Sequence, residues 1–178
     1  LTTDTLGSRS VAIGNLAFGS QNFTTATAAY NVAVGDAAGG AVTTGIRNTL
    51  IGGQAGDALT DADYNVAVGA LALSGDTLGS GSIAIGYASL FAQNFTTATN
   101  AYNTAVGYSA GNTVTTGVNN TLIGGFAGDA ITTGGENVAL GTSALSANTT
   151  ASDNTAVGYN AGTKVTTATG GVYLGRSS

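Results

Sequence analysis

Apolar and polar positions along this chain repeat with a period too short for a helical hairpin and too long for a single strand. A five-residue motif, Asn-Val/Thr-Ala/Leu-aliphatic-Gly, ends at Gly14, Gly35, Gly52, Gly69, Gly86, Gly107, Gly124, Gly141, Gly158 and Gly175. The spacings are 21, 17, 17, 17, 21, 17, 17, 17 and 17 residues. A longer period of 72 lies above this: residues 1–72 and 73–144 share 45 identities, and residues 145–178 form a truncated third block. No unit carries the i, i+3, i+4, i+7 apolar stripe of an amphipathic helix. Each instead holds short runs of Val, Ile and Thr, residues that favour pleated structure, separated by Gly. A unit of this length cannot bury a core alone, but stacked copies can share one. The pattern therefore predicts an all-β, parallel β-solenoid of about ten coils, each of 17 or 21 residues, forming one repeat domain over residues 1–178.

Stacking turns equivalent residues into columns. Asn31, Asn48, Asn65, Asn103, Asn120, Asn137 and Asn154 fall in one column, interrupted by Ser10, Ser82 and Gly171. It reads as a structural amide ladder between coils. Within the motif, alternation puts positions two and four on one face and position three on the other. Position four is always aliphatic; position three is Ala except at Leu50, Leu122 and Tyr173. The fourth column, Val106 included, is assigned to the continuous core. Both strand faces are apolar, and a strand of that kind is ordinarily covered on both. A roll covers only its inside, so the other face calls for a partner, most simply another copy of the chain.

Ser10-Val11-Ala12-Ile13-Gly14 and Ser82-Ile83-Ala84-Ile85-Gly86 resemble the head repeats of trimeric autotransporter adhesins. The longer form Asn154-Thr155-Ala156-Val157-Gly158-Tyr159-Asn160-Ala161-Gly162 looks more like repeats of bacteriophage tail fibres. The coil is longer than the adhesin unit. The resemblance implies a left-handed β-roll assembled as a homotrimer. It further implies a structural or adhesive fibre segment, extracellular on a cell surface or virion, that attaches to a host or other surface.

Composition narrows the alternatives. The net charge is −5, with 7% charged residues and 29 Gly. The four basic residues, Arg9, Arg47, Lys164 and Arg176, are scattered, so no basic stripe for nucleic acid is present. No apolar run approaches a membrane span. Leu1-Thr2-Thr3-Asp4 has neither the basic nor the apolar region of a signal peptide, and the chain is expected to be a piece of something longer. With no His or Cys, the common catalytic triads and thiolate metal sites cannot be built. Asp61 and Asp63 read as solvated loop residues. No enzymatic activity and no cofactor is expected. Residues 52–59 and 124–131 approach a calcium-roll nonapeptide, with Ala where that pattern has Gly, and read as Gly-rich corners.

Two surface readings remain. Aromatics supply binding anchors, and the candidates for contacting a cell-surface glycan or protein receptor are Phe23, Tyr30, Tyr87, Phe95, Tyr102, Tyr108, Phe126 and Tyr159. Phe23 and Phe95 sit in the 21-residue coils, whose extra residues are expected to protrude as binding loops. The alternative function is ice binding through the Thr columns, such as Thr43, Thr60, Thr115, Thr132, Thr149 and Thr166.

Overall fold

A computed structural model describes residues 4–178; Leu1, Thr2 and Thr3 of the opening tetrapeptide lie outside them. Ten motif strands form one parallel sheet. They are Val11–Ile13, Val32–Val34, Thr49–Ile51, Val66–Val68, Ile83–Ile85, Thr104–Val106, Thr121–Ile123, Val138–Leu140, Thr155–Val157 and Val172–Leu174. They follow one another in chain order and pair in register, Ala33 with Leu50 and Leu50 with Ala67, for example. The strands number the coils from 1 to 10. Two smaller pairs, Gly7–Ser8 with Thr27–Ala28 and Gly79–Ser80 with Thr99–Asn100, join each long coil to the coil before it. Among the described residues there are no helices. At about 4.8 Å per coil the stack is a rod about 48 Å long.

Three corners per coil use left-handed backbone, and two of them are occupied mostly by residues other than glycine. Arg9, Tyr30, Arg47, Tyr64, Tyr102, Asn119, Glu136 and Asp153 hold φ between 48° and 63° just before the motif. A second such column, Leu16 to Ser177, follows it. The motif glycines have a different requirement. Gly124 has φ 133°, a region essentially reserved for glycine, and a Cβ there would lie 2.6 Å from the carbonyl of Gly141 in the next coil.

The core is only about one large side chain wide, and its occupants trade volume. Position three of the motif points inward: Ala33, Leu50, Ala67, Ala84, Ala105, Leu122, Ala139 and Ala156 are fully buried. Where it is Leu, the third left-handed corner of the same coil is glycine. Cβ atoms on Gly56 and Gly128 would come within 2.8 Å of Leu50 and 2.7 Å of Leu122. Where position three is Ala, that corner can be Phe18, Leu73, Leu90 or Leu145, all buried. The inward site three residues further on then turns polar, as Gln21, Asp76, Gln93 and Asn148, all buried.

The aliphatic fourth column is therefore not the core. It faces outward with position two: Ile13, Ile51, Ile85, Ile123, Leu140 and Leu174 are exposed, and Val106 is half-buried. The physical reason is curvature. An interior this narrow accepts the small third position in most coils and has no room for two β-branched side chains per strand.

The amide ladder forms, and it holds two directions at once. Asn31 Nδ2 donates to the carbonyl of Gly45 across the coil at 2.7 Å, while its Oδ1 accepts the N–H of Asn48 in the next coil at 2.9 Å. Asn48, Asn65, Asn103, Asn120, Asn137 and Asn154 repeat this pattern. All seven are fully buried, where an unpaired amide would be costly.

Burial also sets the pH response. Burial, with no cation against it, raises the carboxyls of Asp57 and Asp129 above the ordinary 3.8, and one oxygen of each has no partner. For Asp4 burial also acts upward, but hydrogen bonds from the Gln21 side chain and from Gly7, Phe23 and Leu6 outweigh it and hold the group low. A raised folded-state value means that stability is fully present below 3.8 and falls as pH rises through the folded value. Asp4 acts oppositely: its contribution is present above 3.8 and is lost as pH falls through its depressed value. Replacing both Asp57 and Asp129 with Asn should raise the melting temperature at neutral pH and leave it unchanged near pH 3. Melting curves across that range check this; an equal shift at both ends would mean that the gain is not electrostatic.

Candidate functional site

The most extended surface feature is the outer face of the ten-stranded sheet. Positions two and four present Val, Ile or Leu in every coil, relieved only by Thr49, Thr104, Thr121 and Thr155. Exposure reaches 58% at Ile13 and 64% at Leu174. Three residues of strand across ten coils give a stripe of about 10 by 48 Å, or about 500 Å² in projection. That is at the upper end of what monomeric proteins leave exposed.

Two columns border the stripe. Along the edge entered before the motif Asn stand Arg9, Tyr30, Arg47, Tyr64 and Tyr102, then Asn119, Glu136 and Asp153. The Arg9 guanidinium lies 5.2 Å from the Tyr30 ring centroid, and that of Arg47 lies 5.3 Å from Tyr64. Along the opposite edge, just past the motif Gly, stand Asp36, Tyr87, Tyr108, Tyr159 and Arg176. Tyr87 and Tyr108 stack at 5.2 Å, Phe126 meets Tyr108 edge-on at 5.3 Å, and Arg176 lies 5.6 Å from the Tyr159 centroid.

The structure thus brings three of the predicted contact residues together, Tyr87, Tyr108 and Phe126, and leaves Tyr30, Tyr102 and Tyr159 exposed elsewhere on the edges. Phe23 and Phe95 are placed differently. They are 5% and 6% exposed, so their rings do not reach the surface. The buried carboxylate of Asp76 accepts from the N–H groups of Phe95 and Gly79 and from Gln93 Nε2, and so ties the long coil down. What protrudes from the long coils is Thr24 to Ala26 and Thr96 to Ala98. Sequence reasoning missed Tyr64, although it occupies the same place before the Asn as Tyr30 and Tyr102. It also missed Phe91, which with Leu71, Tyr87, Ala88, Ser109 and Asn112 lines a shallow groove of about 200 Å³. A larger hollow of about 670 Å³, beside Val165 and Tyr173, is the open end of the stack.

The remaining polar features serve the scaffold. Asp61 accepts from the Thr44 hydroxyl, and Asp63 accepts from the N–H of Ile46. Asp57 and Asp129 sit four coils apart, on coils 3 and 7. Among the described residues, no three acidic side chains gather as metal ligands would. The hydroxyls of Thr43, Thr60, Thr115, Thr132 and Thr149 donate to threonine carbonyls of the following coil. The neighbouring outward column runs Thr44, Asp61, Leu78 before a long coil interrupts it, and only afterwards Thr116, Thr133, Thr150 and Thr167. Among the described residues, no helix is long and apolar enough to cross a membrane.

Comparison with protein-family models, with curated proteins and with solved structures found no match.

Proposed function

We propose that this chain is a shaft or adhesive segment of an extracellular fibre, of the phage tail fibre or bacterial surface adhesin kind, in which copies assemble through the outer faces of their sheets as a trimer. The outer face, aliphatic at position four in all ten coils, carries this reading. Burying apolar surface is favourable by roughly 25 cal/mol per Å², and here that surface runs the full length of a rigid rod. The rod itself offers structure rather than chemistry: backbone pairing between coils, an amide ladder, and a core without a titratable constellation in a cleft. Attachment to a host glycan or protein falls to the aromatics off the stripe, Phe91 with its adjoining groove and Phe126 beside Tyr108, and to the edge tyrosines. The Thr columns support ice binding less well, because one spends its hydroxyls on the backbone and the other is broken by Asp61, Leu78 and a long coil.

Sedimentation equilibrium of the chain at micromolar concentration tests the proposal. A trimer is expected, with a heat-capacity signature of apolar burial on association. A soluble monomer at all accessible concentrations would remove the reason for reading a fibre.

A further inference from the structure

The corner before the motif changes character along the rod. In coils 1 to 4 it alternates cation and ring, as Arg9, Tyr30, Arg47 and Tyr64. Tyr102 of coil 6 then covers Gly81 of coil 5, where a Cβ would lie 2.9 Å from its ring. All five side chains are exposed. The column turns acidic only beyond them, at Glu136 and Asp153 of coils 8 and 9. Each guanidinium is fixed by the tyrosine of the next coil: it lies against the ring, and its Nη1 donates to the ring's hydroxyl. That uses one of five N–H donors, and no carboxylate among the described residues takes another. The carboxylates ahead of these residues are engaged elsewhere. Asp4 accepts from the Gln21 side chain, Asp61 from the Thr44 hydroxyl and Asp63 from the N–H of Ile46.

We infer that this corner binds an acidic polysaccharide in which a uronic acid alternates with a neutral sugar, laid along the rod over coils 1 to 6. The inference rests on the attachment role proposed above and names its ligand. Arg9 and Arg47 stand two coils apart, about 9.6 Å at the usual strand spacing. That pitch is comparable with two linked pyranose rings, so each guanidinium meets the carboxylate of every second sugar. A pre-oriented guanidinium is suited to a carboxylate, which it grips with two parallel hydrogen bonds. The tyrosines between them offer an apolar ring with a polar tip, which suits the C–H face and hydroxyls of the sugar that carries no charge. Sparse charge is also what the surroundings allow. The chain carries a net charge of −5, and Asp61 and Asp63 lie close by, so a polymer with an anion on every unit, such as a nucleic acid, is repelled more than it is held. Glu136 and Asp153 turn the ligand away beyond coil 7 by the same repulsion.

Titration calorimetry of the whole chain with a hyaluronan decasaccharide, whose carboxylates fall on every second sugar, provides the test. Arg9→Asn with Arg47→Asn should raise Kd about thirtyfold, and Tyr30→Asn with Tyr64→Asn about tenfold. Asn119 already holds φ 58° in this column, so Asn suits the corner, and circular dichroism checks each fold. Lys164→Asn, which removes an exposed cation at the open end of the stack, should leave Kd within about twofold of the parent. A neutral N-acetylglucosamine oligomer of equal length should bind at least about tenfold more weakly than hyaluronan. Equal affinity for the neutral oligomer, or tighter binding of an oligothymidylate of equal length, would overturn the ligand class. A loss in Lys164→Asn as large as in the arginine pair would overturn the site. Sedimentation of the same samples keeps the two proposals apart. An assembled chain that binds no hyaluronan refutes this site and leaves the fibre standing, whereas a monomer that binds it refutes the fibre and keeps the site.

Discussion

Leu122→Asp is expected to unfold the middle of the rod, whereas Val106→Asp should leave a single chain folded and abolish its assembly. Leu122 is fully buried and fills the space left by Gly111 and Gly128; Cβ atoms at either glycine would lie 2.7 Å from it. Replacing it removes about 2–5 kcal/mol of core packing and strands an ionised group with no cation beside it, so the loss should exceed about 5 kcal/mol. Coils 6 to 8 share this packing and should fail together, as neighbours in a solenoid do. Val106 sits one residue along a neighbouring strand but points outward, so the same new charge stays in water until a second copy approaches. Its cost to the isolated chain should be within about 1 kcal/mol. Thermal melting and sedimentation on the two variants separate these effects. Equal loss of folding in both would place the fourth column inside after all.

The second large effect belongs to the amide ladder. Asn120→Ala leaves the carbonyl of Gly134 without its 2.9 Å donor and the N–H of Asn137 without its 3.1 Å acceptor, both beside a fully buried side chain. Each unsatisfied buried group costs about 1–3 kcal/mol, so a loss of about 3 kcal/mol or more is expected. Asn120→Asp is the sharper comparison, because it keeps the acceptor and removes only the donor. It should recover the Asn137 bond while bringing a buried carboxylate against the Gly134 carbonyl. Urea denaturation measures both. A change below about 0.5 kcal/mol in Asn120→Ala would mean that water replaces the amide and that the ladder contributes little.

Much of this architecture is legible in the sequence because a solenoid is nearly one-dimensional. The spacing of the motif glycines places all ten strands, their parallel order and their register, since each coil pairs only with its neighbours. The Asn column is legible for the same reason: a side chain repeated at the coil period must meet its own copy. The exposed tyrosines at 30, 87, 102, 108 and 159 stand beside the motif on corners that have no interior to enter. Only the tertiary structure decided which side of each strand faces in. Alternation separates Ala105 from Thr104 and Val106 but is symmetric between inside and outside. The tie is broken by the width of the interior, which depends on what Gly111 and Val114 contribute from the far side of the coil. The same holds for Phe23 and Phe95. By residue type an aromatic beside two threonines in an insertion is a plausible contact residue. It turns inward because Asp4 and Asp76, contributed by the preceding coil, accept the N–H groups of these phenylalanines, and the glycines at 7 and 79 leave room for their rings.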